Sequence, residues 1–360
     1  MKRLIILVSG LLLSHLGHTQ ELYWPSPEVE QMYHQANEYL SKGAVKQSIN
    51  LYQQAIQLAP NAMVLRRDLA KALNIIGDHS EAYNNIKPVL ESGQADELTY
   101  HIAATALMGK DERRKAKRLL EDGLKDYPRS GMLFCELGLY HEKNNDLEFA
   151  LDAWLKGIEA DPEYHLNYYY AAKAYAQTKK PVWTIVYGET FANLERFTTR
   201  SSEVKALVFA AYKDVYTSGI LNNIAKTGEI DKDIQFEDAV LSILQGLAPV
   251  VSDGFTTENL TMLRARFVMD WISAFADKYP FTLFTYQDKM LRDGEFDAYN
   301  QWFFGSIENK KQYESWIQFH SHAIPELEQW VSSNRFRPTS SDFYNPKDLR
   351  LLFIKRKSKG

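Results

Sequence analysis

Residues 29–62 read VEQMYHQANEYLSKGAVKQSINLYQQAIQLAPNA, and the proline near the end of this stretch, Pro60, recurs as Pro128 and Pro162. The three lie on one register of about 34 residues, with Gln94 filling the missing place. A period of that length marks a two-helix unit repeated head to tail, so an all-α array is predicted. Within the first unit Ala36, Tyr39, Ser48, Tyr52 and Ala55 take positions 8, 11, 20, 24 and 27. Small residues stand where the two helices must approach closely, and aromatic ones stand where the remaining gap needs filling.

Later units keep the small residues. The second, from Met63, has Ala70, Gly77 and Ala82; the third, from Glu97, has Ala104, Ala116 and Pro128. The fourth, from Gly131, has Gly138, Ala150, Trp154 and Pro162. A degenerate fifth starts at His165 with Ala172 and Tyr175 in place, while Thr184 and Gly188 leave the pattern. Its second helix is expected to pack on whatever follows, because a terminal repeat must cover a face with no next neighbour. On these residues, the stretch from 29 to about 195 resembles the tetratricopeptide repeat (TPR) family.

The resemblance implies a superhelix with a concave groove lined by positions 2, 5, 9 and 12 of each unit. Those positions supply Tyr33, Asn37, Arg67, Lys71, Asn74, His101, Tyr169 and Lys173 as partner-binding candidates, with Thr105, Met108 and Glu142 beside them. Cations, amides and rings together suit an extended peptide of some acidic character. The family's carboxylate clamp is poorly matched: Asn37 fits, but Tyr33 stands where a lysine is wanted.

The N-terminus has a different pattern from the repeats. Met1-Lys2-Arg3 precedes an uncharged apolar run, Leu4 to Leu13, and then small and polar residues up to Gln20. This is the pattern of a cleaved export signal over 1–19, too short to span a bilayer, followed by a lead-in over 20–28. A periplasmic or extracellular location is therefore expected, without an integral membrane segment after cleavage. The lone Cys135 rules out an intramolecular disulfide and a lipidated cysteine at the cut. Loss of Lys2 and Arg3 moves the formal net charge from -4 to -6, which argues against a nucleic-acid partner.

From 197 to 360 the register is lost and a helical C-terminal domain with a basic tail is predicted. Helical periodicity runs over Ser202–Lys226, Asp233–Leu247 and Thr257–Lys278, with Leu260, Leu263, Phe267, Trp271 and Phe275 on one face. Twenty of the ninety residues from Phe255 to Tyr344 are aromatic, and most are expected in the core. The run Tyr299, Trp302, Phe303, Phe304 is too continuous for one face, so Tyr299, Trp302 and Phe303 are candidates for a second binding surface. Leu351 to Ile354 are expected to dock on the helical core.

Chemistry-bearing patterns are sparse. His320 and His322 point to different sides of a helix, and Asp293, Glu295 and Asp297 lack the glycine and distal glutamate of a calcium loop. No nucleophile elbow, P-loop or zinc-protease motif occurs, so no catalytic, metal or cofactor residue is assigned. The leading expectation is a non-enzymatic adaptor holding a protein or peptide partner. The alternative is a glycan-binding or glycan-cleaving envelope protein, with Tyr299, Trp302 and Trp316 beside Glu295 or Glu308.

Overall fold

The computed structural model describes residues 24–223 and 234–346, and among these there is no β-strand. The predicted signal over 1–19, the docking segment Leu351–Ile354 and the basic tail lie outside the described residues. Ten helices form five antiparallel hairpins: α1 (Pro27–Ser41) with α2 (Val45–Leu58), α3 (Met63–Ile75) with α4 (His79–Glu91), and α5 (Glu97–Gly109) with α6 (Arg113–Asp126). They continue with α7 (Gly131–Lys143) and α8 (Leu147–Ala160), then α9 (His165–Gln177) and α10 (Pro181–Leu194).

Local chemistry sets the ends of these helices. Ser26, Asp78, Asp96 and Ser130 each accept a hydrogen bond from a backbone N–H in the first turn of the following helix. Within every hairpin the turn holds one residue in the left-handed region: Gly43, Gly77, Asp111, Asn145 and Lys179, at φ of 75°, 80°, 60°, 59° and 60°. Each of these follows the last by one repeat period. Glycine takes that conformation freely and Asp and Asn tolerate it, but Lys179 bears a steric cost of about 1 kcal/mol.

Position 8 is sealed in each hairpin, with Ala36, Ala70, Ala104 and Ala172 fully buried. At Gly138 the room goes to Trp154: a Cβ there would lie 2.1 Å from the indole Nε1. Gly188, which departs from the sequence pattern, has a similar reason. A Cβ at Gly188 would come within 2.6 Å of Val208, so glycine permits α10 to approach the next helix closely.

That next helix, α11 (Thr199–Thr217), extends the register beyond the point where the sequence loses it. The helix starts at Met63, Glu97, Gly131, His165 and Thr199 are spaced by the same repeat period. The turn that should follow is missing: Lys213, one period after Lys179, stays helical. Ala206, the position-8 residue of this sixth unit, is exposed because no second helix returns to cover it. The helix predicted over 202–226 therefore ends at Thr217, followed by Gly219 in the left-handed region.

The remaining helices build onto α10 and α11. They are α12 (Phe236–Gly246), α13 (Thr257–Ala274), α14 (Thr282–Asp293) and α15 (Phe296–Asn300), which runs through a π-turn (Gln301–Gly305) into α16 (Ser306–Glu308). Helices α17 (Lys310–Phe319) and α18 (Ala323–Ser333) lie outside these. Every residue of α10 from Pro181 to Asn193 is buried, as the sealing role of the fifth unit requires. One apolar cluster runs from Cys135 across residue 196 to Phe336. Its aromatic centre is Phe236, whose ring meets those of Trp183, Trp271, Tyr279, Phe281, Phe284 and Tyr344 at centroid separations of 4.5 to 6.4 Å.

A polar network sits inside this core. Glu189 of α10 pairs with Arg264 of α13 and accepts from Gln287 Nε2 of α14 at 2.6 Å and from the Tyr299 hydroxyl of α15 at 2.8 Å. Arg264 also donates to Asn300, and its guanidinium lies over the rings of Phe296, Tyr299, Phe303 and Phe304. Burial pulls the guanidinium pKa down, but Glu189 and the neighbouring tyrosines outweigh that and raise it overall. Removing one member of a buried pair strands the other charge at a cost of about 3–5 kcal/mol, while replacing both with apolar groups is often neutral. Glu189→Leu should therefore lower stability to urea by that amount, and Glu189→Leu with Arg264→Met should recover most of it. Equal losses in the single and double variants would show that the pair is not what holds these helices.

Candidate functional site

The first helices of successive units form a continuous face, and the polar residues expected there are mostly bonded to the next unit. The Tyr33 hydroxyl donates to Asp68 at 3.0 Å. Asn37 accepts from the Tyr52 hydroxyl at 2.8 Å and donates to the Tyr33 carbonyl at 3.1 Å. Arg67 bridges Asp68 at 3.0 Å and Asp96 at 2.8 Å. Asn74 donates to the Ile102 carbonyl at 2.9 Å, and His101 lies 3.2 Å from Glu136. Tyr169 donates to Glu203 of α11 at 2.5 Å, and Lys173 pairs with the same carboxylate at 2.9 Å. Lys71 is exposed and makes no such bond among the described residues.

These contacts form a ladder from one unit to the next, and they correct the expected polarity of the groove. By sequence Arg67 and Lys173 should attract acidic groups on a peptide, but Asp68, Asp96 and Glu203 already neutralise them. Bonds from Thr99 and the Arg67 cation keep the Asp96 carboxyl below the usual range despite partial burial, and bonds from Tyr169 and Lys173 do the same for Glu203. Sequence reading missed the ladder because Asp68 and Asp96 fall outside the groove positions implied by the resemblance, and Glu203 lies beyond the stretch that it covers.

Between α5 and α7 the same face opens into a cleft of about 430 Å³. Thr105, Met108, Leu139 and Tyr140 form much of its wall, with Glu136, Glu142 and Lys143 around them. Thr105, Met108 and Glu142 are groove residues expected from the sequence, and the structure brings them together. The cleft thus combines an apolar strip with two carboxylates and one cation.

A second cleft, of about 310 Å³, lies between α4 and α6 and was not anticipated. Tyr83, Leu107 and Leu119 line it together with Arg114, Lys115 and Arg118. Its signal was present in the sequence as Arg113-Arg114-Lys115-Ala116-Lys117-Arg118, a run that groove positions do not include.

The proposed second surface at Tyr299, Trp302 and Phe303 is corrected by burial. These residues are 0, 6 and 0% exposed, because the π-turn lets consecutive rings point into one core rather than onto opposite faces. Tyr299 and Trp302 therefore offer no open platform to a sugar. Trp316, the third ring of that alternative, stacks on His320 at 4.8 Å, while Glu308 accepts from Thr257 at 3.3 Å. Asp293 accepts from Lys289 at 2.6 Å and from Trp330 at 2.7 Å.

Trp302 is instead packed by cations. The Lys205 ammonium nitrogen lies 3.3 Å from the indole centroid and donates to the Trp302 carbonyl at 3.0 Å, while the Arg196 guanidinium lies 3.9 Å from the same centroid. Burial, and secondarily Arg196, push the Lys205 pKa down to about 6 against the pull of the ring face. A lysine depressed in the fold binds fewer protons there than in the unfolded chain. Its stability contribution is intact above the ordinary lysine pKa and is lost as pH falls toward 6. Lys205→Met should therefore stabilise the protein by roughly 1–4 kcal/mol near pH 6, with the gain shrinking as pH approaches 10. Urea midpoints across that range check it, and a gain that grows with pH would contradict it.

No family model matches the sequence, and no curated protein does. Solved structures match about half of the chain. Residues 41 to the end of MamA from Desulfovibrio magneticus RS-1 are 16% identical, covering 47% of this chain and 94% of that one at a TM-score of 0.37. A crystal structure of MamA is 19% identical, covering 44% and 93% at 0.36. YrrB, described as a TPR protein with an unusual peptide-binding site, is 16% identical, covering 48% and 90% at 0.34. Pro27–Leu194 is an array of five two-helix units on one repeat period, the fold that the resemblance in the sequence implies.

Proposed function

We propose that this protein is an exported, non-enzymatic scaffold that holds an extended peptide of a partner protein in the cleft between α5 and α7. The observation that carries this reading is the 430 Å³ cleft on the face formed by the first helices of the repeats. Most polar groups elsewhere on that face are occupied by the inter-unit ladder, whereas Met108, Leu139 and Tyr140 leave apolar surface open beside Glu142 and beside Glu136, which closes the ladder contact with His101. The favoured peptide is apolar with a basic residue, since two carboxylates outnumber the single Lys143. Export is supported by the sequence pattern of residues 1–19. No described helix is long and apolar enough to cross a membrane. The most deeply placed carboxylate, Glu189, is closed off from solvent and satisfied by neighbours, which favours a structural over a catalytic use.

Peptide display against residues 20–360 provides ligands, and fluorescence anisotropy measures their affinity. Selected sequences should carry Lys or Arg beside an apolar residue, and Glu136→Gln with Glu142→Gln should weaken them at least tenfold, about 1.4 kcal/mol. Selected peptides that bind the double variant as tightly as the wild type would refute the cleft as their site. For export, the mature chain recovered from an envelope or culture fraction should have the mass expected for cleavage after Thr19. Retention of an uncut chain in the cytoplasm would remove that part.

A further inference from the structure

The basic cleft between α4 and α6 faces a different set of helices from the groove and carries charges that the fold does not use. Residues 110–126 hold seven Lys or Arg and five Asp or Glu, and most of them pair locally. Lys110 and Lys115 pair with Glu112 at 2.9 and 2.5 Å, Arg113 with Asp111 at 2.7 Å, Lys117 with Glu121 at 3.3 Å and Lys125 with Asp122 at 2.7 Å. Asp122, the one acid on the cleft wall, is thus held by Lys125. Arg114 and Arg118 are left: both are exposed, both line the cleft, and no carboxylate among the described residues pairs with either.

The position of these cations is also unfavourable for the helix itself. Arg113, Arg114 and Lys115 occupy the first turn of α6, which contains no acidic residue and has no side-chain cap. The helix dipole puts partial positive charge at that end, so cations there oppose folding. Arg113 and Lys115 offset some of that cost by pairing with Asp111 and Glu112, but Arg114 has no such return, which points to use by a ligand.

We infer that the Arg114–Arg118 cleft is a second docking site, taking an acidic, extended segment of a partner protein that carries two carboxylates two residues apart and an apolar side chain further along the same face. Arg114 and Arg118 are one helical turn apart, with Cβ atoms about 6 Å from each other. Alternate residues of an extended chain are separated by about 7 Å and share one face, so two such carboxylates reach both guanidiniums. Each guanidinium offers a planar fork of donors that matches a carboxylate. Tyr83, Leu107 and Leu119 then receive the apolar side chain. The net charge of the surrounding segment is only +2, from seven cations and five acids, so the attraction is confined to the cleft and favours a peptide over a broad anionic surface.

The test uses the chain from residue 20 and two fluorescein-labelled peptides, Gly-Glu-Ser-Glu-Ser-Phe-Gly and the same peptide with Gln for both Glu. Anisotropy should saturate with the acidic peptide and weaken with added salt, and affinity should fall at least tenfold for the Gln peptide and for Arg114→Glu with Arg118→Glu. Both arginines are exposed, so the variant should keep the wild-type circular dichroism and a urea midpoint no lower than that of the wild type, since an acid in the first turn of α6 suits the helix dipole. Glu136→Gln with Glu142→Gln should leave acidic-peptide binding unchanged, which separates this site from the groove. Equal affinity for both peptides, equal affinity of the charge-reversed variant, or no saturation at millimolar peptide would overturn the proposal. So would sedimentation with phosphatidylglycerol vesicles that depends on the two arginines and resists competition by the acidic peptide.

Discussion

The Glu189–Arg264 pair ties the last repeat hairpin to α13, α14 and α15, and neither charge can be buried there without the other. Charges out of water are tolerated only when their hydrogen-bonding capacity is met from several directions. Here α10, α13, α14 and α15 each contribute a group to one carboxylate or to its guanidinium partner. The same requirement makes the arrangement selective, because a shift of any one helix would leave a buried charge short of partners. Four rings around the guanidinium complete the enclosure with apolar area and favourable ring faces.

Repeat arrays have an end problem, since each hairpin exposes an apolar stripe meant for the next. This chain solves it by letting the register run one helix too far. Helix α11 stacks as the first helix of a sixth unit, and the turn that would send the chain back is replaced by continuous helix through Lys213. Aromatic helices from the C-terminal region then cover α10, so the fifth hairpin becomes part of their core. Gly188 and the all-round burial of α10 are two results of that close fit.

Along the repeats, polarity divides into used and unused groups. Tyr33, Arg67, His101, Tyr169 and Lys173 each face an acidic group of the neighbouring unit and serve the stacking of the array. What remains open is narrow: an apolar strip with Glu142 and with Glu136, whose other neighbour is His101, on one face, and Arg114 with Arg118 on another. The two clefts have opposite charge. A scaffold with this division can distinguish partners by the sign of the charge beside their apolar anchor.

The repeat period, the small residues at position 8 and the expected role of the fifth unit were legible in the sequence because they are packing requirements local to one hairpin and its neighbour. The core face of Leu260, Leu263, Phe267, Trp271 and Phe275 was legible for the same reason, since helical periodicity is written within a single element. Groove positions such as Thr105, Met108 and Glu142 could be named, but not which groove cations were free. That depended on acids of the following unit, far along the chain and brought beside them only by stacking. Tertiary structure likewise decided that Tyr299, Trp302 and Phe303 lie inside, because a π-turn changes which way consecutive rings point, and that Glu189 finds Arg264 across 75 residues of chain. Sequence alone determined the repeating unit; pairings between distant residues required the fold, since electrostatic partners are set by distance in space and not by spacing along the chain.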